Sequence, residues 1–376
     1  MHTLPLITKQ ENLRGTRVIL RLDLNVPLAS GEIRDTYRIT KSLPTIKFLR
    51  EAGARIVIVS HIGKGEKQDT LRPVAEYLSR LFPVTFLEQL DNPQNERLSR
   101  AMEDGDVLLL ENVRHNKGEE ANDPDFARQL ARLGDIYVND AFAVSHRAHA
   151  SISGVPSLLP HFAGLQMEAE VARLSLAFSP EHPFLFVLGG AKISTKMPLL
   201  KKFLKTADHV FVGGTTANNL LKAKGFEIGK SVYDATVLDG LDEVLQNSRL
   251  ILPDDVVVKN ESGSTVCAAS EVGGGDMIVD IGTETIRKLQ AIVGAAKLII
   301  WNGPLGFYEE GFTQGTQELL GLISGSRATS VIGGGDTVAL ISEMGTLEHF
   351  SFVSTGGGAM LEYLANETLP GIDALT

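Results

Sequence analysis

Only one cysteine and one tryptophan occur in 376 residues. A lone Cys267 excludes an internal disulfide and suits a reducing compartment. Its flanks, STVCAAS, bring no histidine, so it reads as structural and not as a nucleophile. No apolar run approaches the roughly 18 residues of a membrane helix. The opening residues, MHTLPLITKQENLRG, lack the basic start and long apolar stretch of a secretory signal. A cytoplasmic location is therefore expected. Positive charge is also short: the formal net charge of -10 argues against a nucleic-acid partner. Neither common nucleotide fingerprint is present. GFEIGKS, Gly225 to Ser231, has three residues between its glycines where a Walker loop has four, and no strand pattern precedes it. No G-x-G-x-x-G follows a strand and opens a helix, which weakens a nicotinamide dehydrogenase reading.

Length favours two domains, and charge divides the chain in two. Residues 1–160 hold 21 Lys+Arg against 21 Asp+Glu, and residues 161–376 hold 15 against 25. Arginine segregates with the first half, which carries 15 of the 19 copies, as a surface that grips small anions would require. A solvated surface would look the same by composition alone.

Short β-branched runs alternate with helical spacing such as Ile39 to Ala52 and Asp125 to Leu133. The first half has Val18 to Leu22, Arg55 to Val59, Val107 to Leu110 and Ile136 to Val138. The second has Phe184 to Leu188, His209 to Val212, Asp255 to Val258, Lys297 to Trp301, Ser330 to Ile332 and Phe350 to Val353. Most are apolar on both faces, as strands covered by helices on each side must be. An α/β fold of two doubly wound, Rossmann-like parallel sheets is expected, joined by a helical connector within Pro160 to Ser179.

Ligands of such sheets collect beyond the carboxyl ends of the strands. First-half tips are DLNVP, SHIGKG, ENVRH and NDAFAVSHRAH, rich in Asp, Asn, His and Arg. Arg21, Arg38, His61, Lys64, Arg114, His146, Arg147 and His149 fall in or near them and suit a pocket for a small, highly charged acid. The spacing of HRAH also admits a metal reading, although no cysteine or third ligand accompanies it. Second-half tips are GGAK, GGTTANN, NGPLGF, GGGDT and STGGGA. Glycine lets peptide N–H groups approach phosphate oxygens, and a following helix adds its positive end. Tight packing of strand on helix would use the same glycines. In GGAKISTK, a helix beginning after the glycines would project Lys192 and Lys196 from one face.

Together, RLDLNVP, SHIGKG, LLLENVRH, NDAFAVSHRAHASISGVP, LGGAKISTK, WNGPLGFYE, VIGGGDT and STGGGA resemble, in order and over nearly the whole chain, the phosphoglycerate kinases. The resemblance implies reversible phosphoryl transfer between ATP and the carboxylate of 3-phosphoglycerate, giving ADP and 1,3-bisphosphoglycerate, with Mg2+ as cofactor. It implies that Asp23, Leu24, Asn25, Arg38, His61, Ile62, Gly63, Lys64, Arg114 and Arg147 hold the acid. Gly190, Ala191, Lys196, Gly213, Gly214, Gly282, Asn302, Pro304, Glu309, Gly334, Gly335, Asp336 and Thr337 would hold the nucleotide, with Asp336 on the metal. Arg38, Lys192, Gly356 and Gly357 would act on the phosphoryl group in flight. Implied domains are 1–163 with the tail 367–376, a hinge helix 164–179, and 180–366, around a deep interdomain cleft. A monomer without membrane or nucleic-acid partners is expected.

The chain departs from the family pattern at Lys64 (usually Arg), Ala143 (Gly), Thr215 and Thr216 (Gly-Met) and Phe352 (His). Lys64 replaces a planar fork by a point charge. The motifs alone leave two rivals, a kinase for another carboxylate or carbamate and a non-enzymatic anion-binding module. Dependence of ATP turnover on 3-phosphoglycerate separates all three.

Overall fold

The structure, a computed structural model, describes residues 4–236 and 240–376. Met1 to Thr3, where the segment read for a secretory signal begins, and Val237 to Asp239, within the stretch assigned to the second domain, lie outside the described residues. The chain divides into two compact units. One runs to Ala172 and is rejoined by Asn366–Thr376; the other is Arg173–Ala365.

In the first unit, six strands are all parallel and lie in the order Thr85–Leu87, Val107–Leu110, Arg55–Val59, Arg17–Leu22, Ile136–Asp140 and His161–Ala163. Arg21 pairs with Val59 and with Asn139, so the tips that follow these three strands lie level. Alternate residues Val18, Leu20 and Leu22 join Ile56, Ile58 and Val138 in one core with Ile39, Ile46 and Leu49 of the helix Tyr37–Glu51. Burying each such side chain is worth about 1.5–3 kcal/mol, which fixes the register that aligns the tips. The C-terminal segment is tied in by the Gly371 N–H, which donates to the Ser145 carbonyl at 2.8 Å.

The second unit repeats the plan with the parallel order Leu250–Ile251, His209–Val212, Phe184–Leu188, Leu298–Asn302, Thr329–Gly333 and Phe352–Val353. Phe184–Leu188 is buried throughout, and Phe186 stacks on Phe203 of the helix Ile193–Thr206 with ring centroids 4.1 Å apart. Leu188 pairs with both Val212 and Asn302, and Asn302 with Gly333. Four glycine-rich tips thus stand side by side.

Two expectations need correction. Asp255–Asn260 does not belong to the parallel sheet; it is the centre of a separate antiparallel sheet with Gly263–Ala268 and Met277–Ile281. Asn260 and Gly263 pair across a two-residue turn, and the Asn260 side chain accepts the Ser262 N–H at 2.9 Å. That hairpin turns the chain back before any crossover helix can form. The connector is not helical from its start either. His161–Ala163 pairs with Tyr137–Asn139 as an edge strand, and the helix begins at Leu165, is α-helical to Leu174 and continues as a 3-10 helix over Ser175–Phe178. No described helix is long and apolar enough to cross a membrane.

Candidate functional site

At the carboxyl edge of the first sheet, Asp23 and Arg38 are paired: Nη1 lies 2.9 Å from one carboxylate oxygen and 3.2 Å from the other. The Asn25 side chain accepts the Gly63 N–H at 2.9 Å, clasping the loop after Arg17–Leu22 to the loop after Arg55–Val59. The second loop is shaped by Asp69, whose carboxylate accepts the N–H groups of Lys64, Gly65 and Glu66 at 2.8, 3.0 and 3.0 Å. Gly65 has φ of +87° and would press a Cβ to within 2.6 Å of the Arg114 carbonyl, so no larger residue fits there. Arg114 closes the ring by donating from Nη1 to the Gly63 carbonyl at 2.5 Å, with Nε 3.4 Å from the Glu120 carboxylate. Leu24 and Ile62 are buried, and their N–H groups go to Ser60 and Asn112 side chains at 3.1 and 3.3 Å. They anchor the tips. Lys64 and Arg147 are exposed, and Arg147 Nε donates to His146 Nε2 at 3.2 Å.

His61 is buried within this cationic ring. Desolvation, followed by the charges of Arg21, Arg114, Arg38 and His149, holds its pKa well below 6.5. His149 is pushed down to about 4, again by burial and then by Arg114, Arg21 and Arg147. Both rings are neutral at pH 7. Arg114 is itself lowered by burial and by Arg147. The repulsion these shifts record is what a bound polyanion would relieve.

In the second unit the strand order reverses between Phe184–Leu188 and Leu298–Asn302, and their tips cross at backbone contact. The Gly190 N–H donates to the Pro304 carbonyl at 2.8 Å and the Gly214 N–H to the Leu305 carbonyl at 3.0 Å. A Cβ on Gly189 would lie 2.2 Å from the Pro304 carbonyl oxygen. Beside this crossing lies a cavity of about 300 Å³. Gly190, Ala191, Gly214, Pro304, Glu309 and Asp336 contribute backbone and carboxylate groups to its lining. Leu221, Val256, Ile278, Val279, Leu305 and Phe307 form an apolar wall. Such a slot takes a flat, weakly polar ring at one end and anionic oxygens at the other. Asp336, in the first turn of the helix Gly335–Glu343, has a raised pKa through desolvation and the charge of Glu309.

Other residues expected at the nucleotide stand off the cavity. Gly213 packs on Leu305, and Gly282 leaves room for the Asp255 carboxylate, which accepts the Glu284 and Thr285 N–H groups at 3.0 and 2.8 Å. Asn302 donates to the Gly357 carbonyl at 3.4 Å, and Gly334 has φ of +100° against the Gly303 backbone. The Thr337 hydroxyl is buried and has no hydrogen-bond partner among the described residues. Cβ atoms on Gly335 or Gly357 would meet nothing within 4 Å, so these two helix starts are open. Gly356 donates its N–H to Ser354 Oγ at 3.0 Å.

The lysine pair does not share a helix face. Lys192 sits before the first helical residue with φ of +57°, a left-handed conformation that points it away from the i,i+4 line. Lys196 is buried, donating to the Gly189 and Ala191 carbonyls at 2.5 and 2.6 Å, and burial lowers its pKa to about 8. GFEIGKS is no phosphate loop: Lys230 N–H goes to the Asp276 carbonyl, and Ser231 Oγ accepts the Ile278 N–H at 2.8 Å. Asn218 and Thr215, on the helix Gly214–Ala223, and the antiparallel sheet also line the cavity. Only the Thr-Thr substitution after Gly214 pointed to that wall.

A strand-end cluster of arginines in one unit and a glycine-lined slot in the other define a phosphotransferase of the two-unit α/β class. The sequence profile of phosphoglycerate kinase matches residues 8–367. The chain is 43% identical to the phosphoglycerate kinase of Dictyoglomus turgidum over 98% of its length and 97% of that protein's. It is 40% identical to that of Moorella thermoacetica over 99% of both. Among solved structures, phosphoglycerate kinase from Coxiella burnetii superposes with a TM-score of 0.85 at 39% identity, covering 99% of each chain. The Pyrococcus horikoshii enzyme gives 0.88 at 32%, covering 99% and 98%. The chain belongs to the phosphoglycerate kinase family, and it is a kinase with 3-phosphoglycerate as acceptor.

Proposed function

We propose that the first unit holds 3-phosphoglycerate on Asp23, Asn25, Arg38, His61, Gly63, Arg114 and Arg147, and that the second holds MgATP or MgADP in the slot beside Gly190, Gly214, Pro304 and Glu309. The acid's carboxylate is ionised near neutral pH and requires no general base. The work left to the protein is in-line positioning and neutralisation of charge on the equatorial oxygens. Arg38, Lys192 and the open helix start at Gly357 and Gly358 supply that charge, with Gly356 holding the turn before it through its N–H to Ser354. Lys196 reaches the nucleotide phosphates by exchanging its two carbonyl partners for anionic oxygens.

Asp336 fits a magnesium ion, since burial and then the charge of Glu309 disfavour its carboxylate and a divalent cation would offset both. Among the described residues no group of three or more His, Cys, Asp or Glu could hold a metal, so nucleotide oxygens and water complete the shell, as Mg2+ prefers. Held there, Mg2+ would supply neutralisation of charge on the transferring phosphate. Reaction requires the acid on one unit to meet the nucleotide on the other, which couples binding to closure and excludes water. The enzyme works as a cytoplasmic monomer.

The observation that carries this reading is the division of chemistry between the units, with clustered arginines on one and bare backbone on the other. A coupled assay with MgATP and 3-phosphoglycerate tests it. Lys192→Ala is expected to lose about 100- to 1,000-fold in kcat, the worth of one donor to an anionic transition state. Undiminished turnover in that variant refutes the role.

A further inference from the structure

We infer that Arg21, held by Glu119 through Ser151, locks the His61 ring in the tautomer that carries its proton on Nε2. The acid then meets a neutral N–H donor and not an imidazolium, a consequence that rests on the functional reading above.

Arg21 is fully buried on the strand Arg17–Leu22, and each of its three side-chain nitrogens has a partner. Nε donates to Ser151 Oγ at 2.8 Å, Nη1 to the Leu22 carbonyl at 2.5 Å, and Nη2 lies 3.2 Å from His61 Nδ1. A guanidinium has five N–H donors and no acceptor, and it stays protonated at any accessible pH. Nδ1 must therefore accept. A ring that accepts at Nδ1 is neutral and has its proton on Nε2.

The orientation of Arg21 is fixed in turn. The Ser151 hydroxyl has a single hydrogen, which it gives to Glu119 Oε1 at 2.6 Å, leaving a lone pair for Arg21. The Ser151 N–H donates to Glu119 Oε2 at 2.9 Å, so the carboxylate cannot turn away. Glu119 is itself fully buried, and its charge compensates that of Arg21. An uncompensated guanidinium there would be strongly destabilising.

The groups facing His61 from neighbouring elements are Arg21, Arg114, Arg38 and His149, and each opposes a second proton on the ring. The N–H that His61 presents is thus constant across the neutral range. Arg21 is a positioning residue, acting through His61 and touching no substrate.

The test uses the full chain labelled with 15N-histidine. In ligand-free wild type, His61 is expected to show a protonated Nε2 and a bare Nδ1 from about pH 5.5 to 8. An Nδ1–H pattern, or an imidazolium near pH 6.5, overturns the inference whatever the variants do. Arg21→Met combined with Glu119→Gln removes both buried charges together. It is expected to mix the tautomers and to raise KM for 3-phosphoglycerate about tenfold with KM for ATP unchanged. Arg21→Lys, still a pure donor, should restore the Nε2–H form. An unaltered tautomer in the double variant also overturns the lock. Addition of 3-phosphoglycerate is a separate arm: an unmoved Nε2 resonance counts against the functional reading and leaves the ligand-free measurement standing.

Discussion

Asp280 offers a test in which the sign and size of a pH effect follow from two hydrogen bonds and one cavity wall. It sits on the strand Met277–Ile281, buried against the slot, and accepts the Ile281 N–H at 2.9 Å with Oδ1 and the Gly315 N–H at 2.9 Å with Oδ2. Those bonds favour the carboxylate, yet desolvation outweighs them and raises its pKa to about 6. In an unfolded chain an aspartate titrates near 3.9. Between these values the folded state binds the extra proton, so stability falls as pH rises through about 6 and is recovered as pH falls toward 4. A difference of roughly two units corresponds to about 3 kcal/mol. Asp280→Asn removes the titration. Its amide retains one acceptor, so one N–H loses its partner at a pH-independent cost of about 1–3 kcal/mol. Trp301, the chain's one tryptophan, is fully buried in the same unit and reports its unfolding in urea by fluorescence. The lowered histidines His61 and His149 act in the opposite sense but belong to the other unit. Wild type should therefore gain about 2 kcal/mol on the variant between pH 7.5 and pH 4, and the rest at lower pH, in the transition followed at Trp301. Parallel pH profiles for the two proteins would refute the burial argument.

Gly189→Ala should destabilise the second unit by about 1–3 kcal/mol in the same assay, because its Cβ would meet two backbone carbonyls, of Pro304 and Gly303, at 2.2 and 2.4 Å. Gly274→Ala, with nothing within 4 Å, should stay within about 0.5 kcal/mol of wild type. Asp69→Ala deprives three N–H groups of their acceptor and loosens the loop that carries Gly63. It should raise KM for 3-phosphoglycerate roughly five- to tenfold and leave KM for ATP unchanged, which steady-state kinetics will separate.

The tips were legible because parallel strands align their ends. Phe184–Leu188 and Leu298–Asn302 read as apolar on both faces and are buried on both, and each is followed by glycines that no other residue could replace at the crossing. Helix and strand bounds fall within a residue or two of the sequence periodicity for the same reason. Asp255–Asn260 imitates that pattern with three valines in a row, yet of these only Val256 and Val258 are deeply buried. The contrary signal lay just beyond it, in Asn260 and Gly263 bracketing a tight turn.

Side-chain placement was the harder part, since it depends on residues far apart in the chain. By sequence, Arg21 of RVILRL counts among the strand-tip cations suited to a pocket for a small, highly charged acid. Arg21 is instead buried, because Glu119 and Ser151 arrive from two different strand connections to meet it. No local spacing encodes that meeting. Lys192 shows the converse, where local spacing is present but misleading. GGAKISTK has helical periodicity throughout, but the two preceding glycines let the backbone cross the Pro304 tip first, and the turn into the helix then forces the left-handed region at a lysine. The consequence is chemical. Lys196, inside the helix, is held by carbonyls, whereas Lys192 stays exposed at its mouth. Two residues that sequence spacing treats alike thus differ in what they can do: the proposed part at the phosphoryl group needs the exposed ammonium of Lys192.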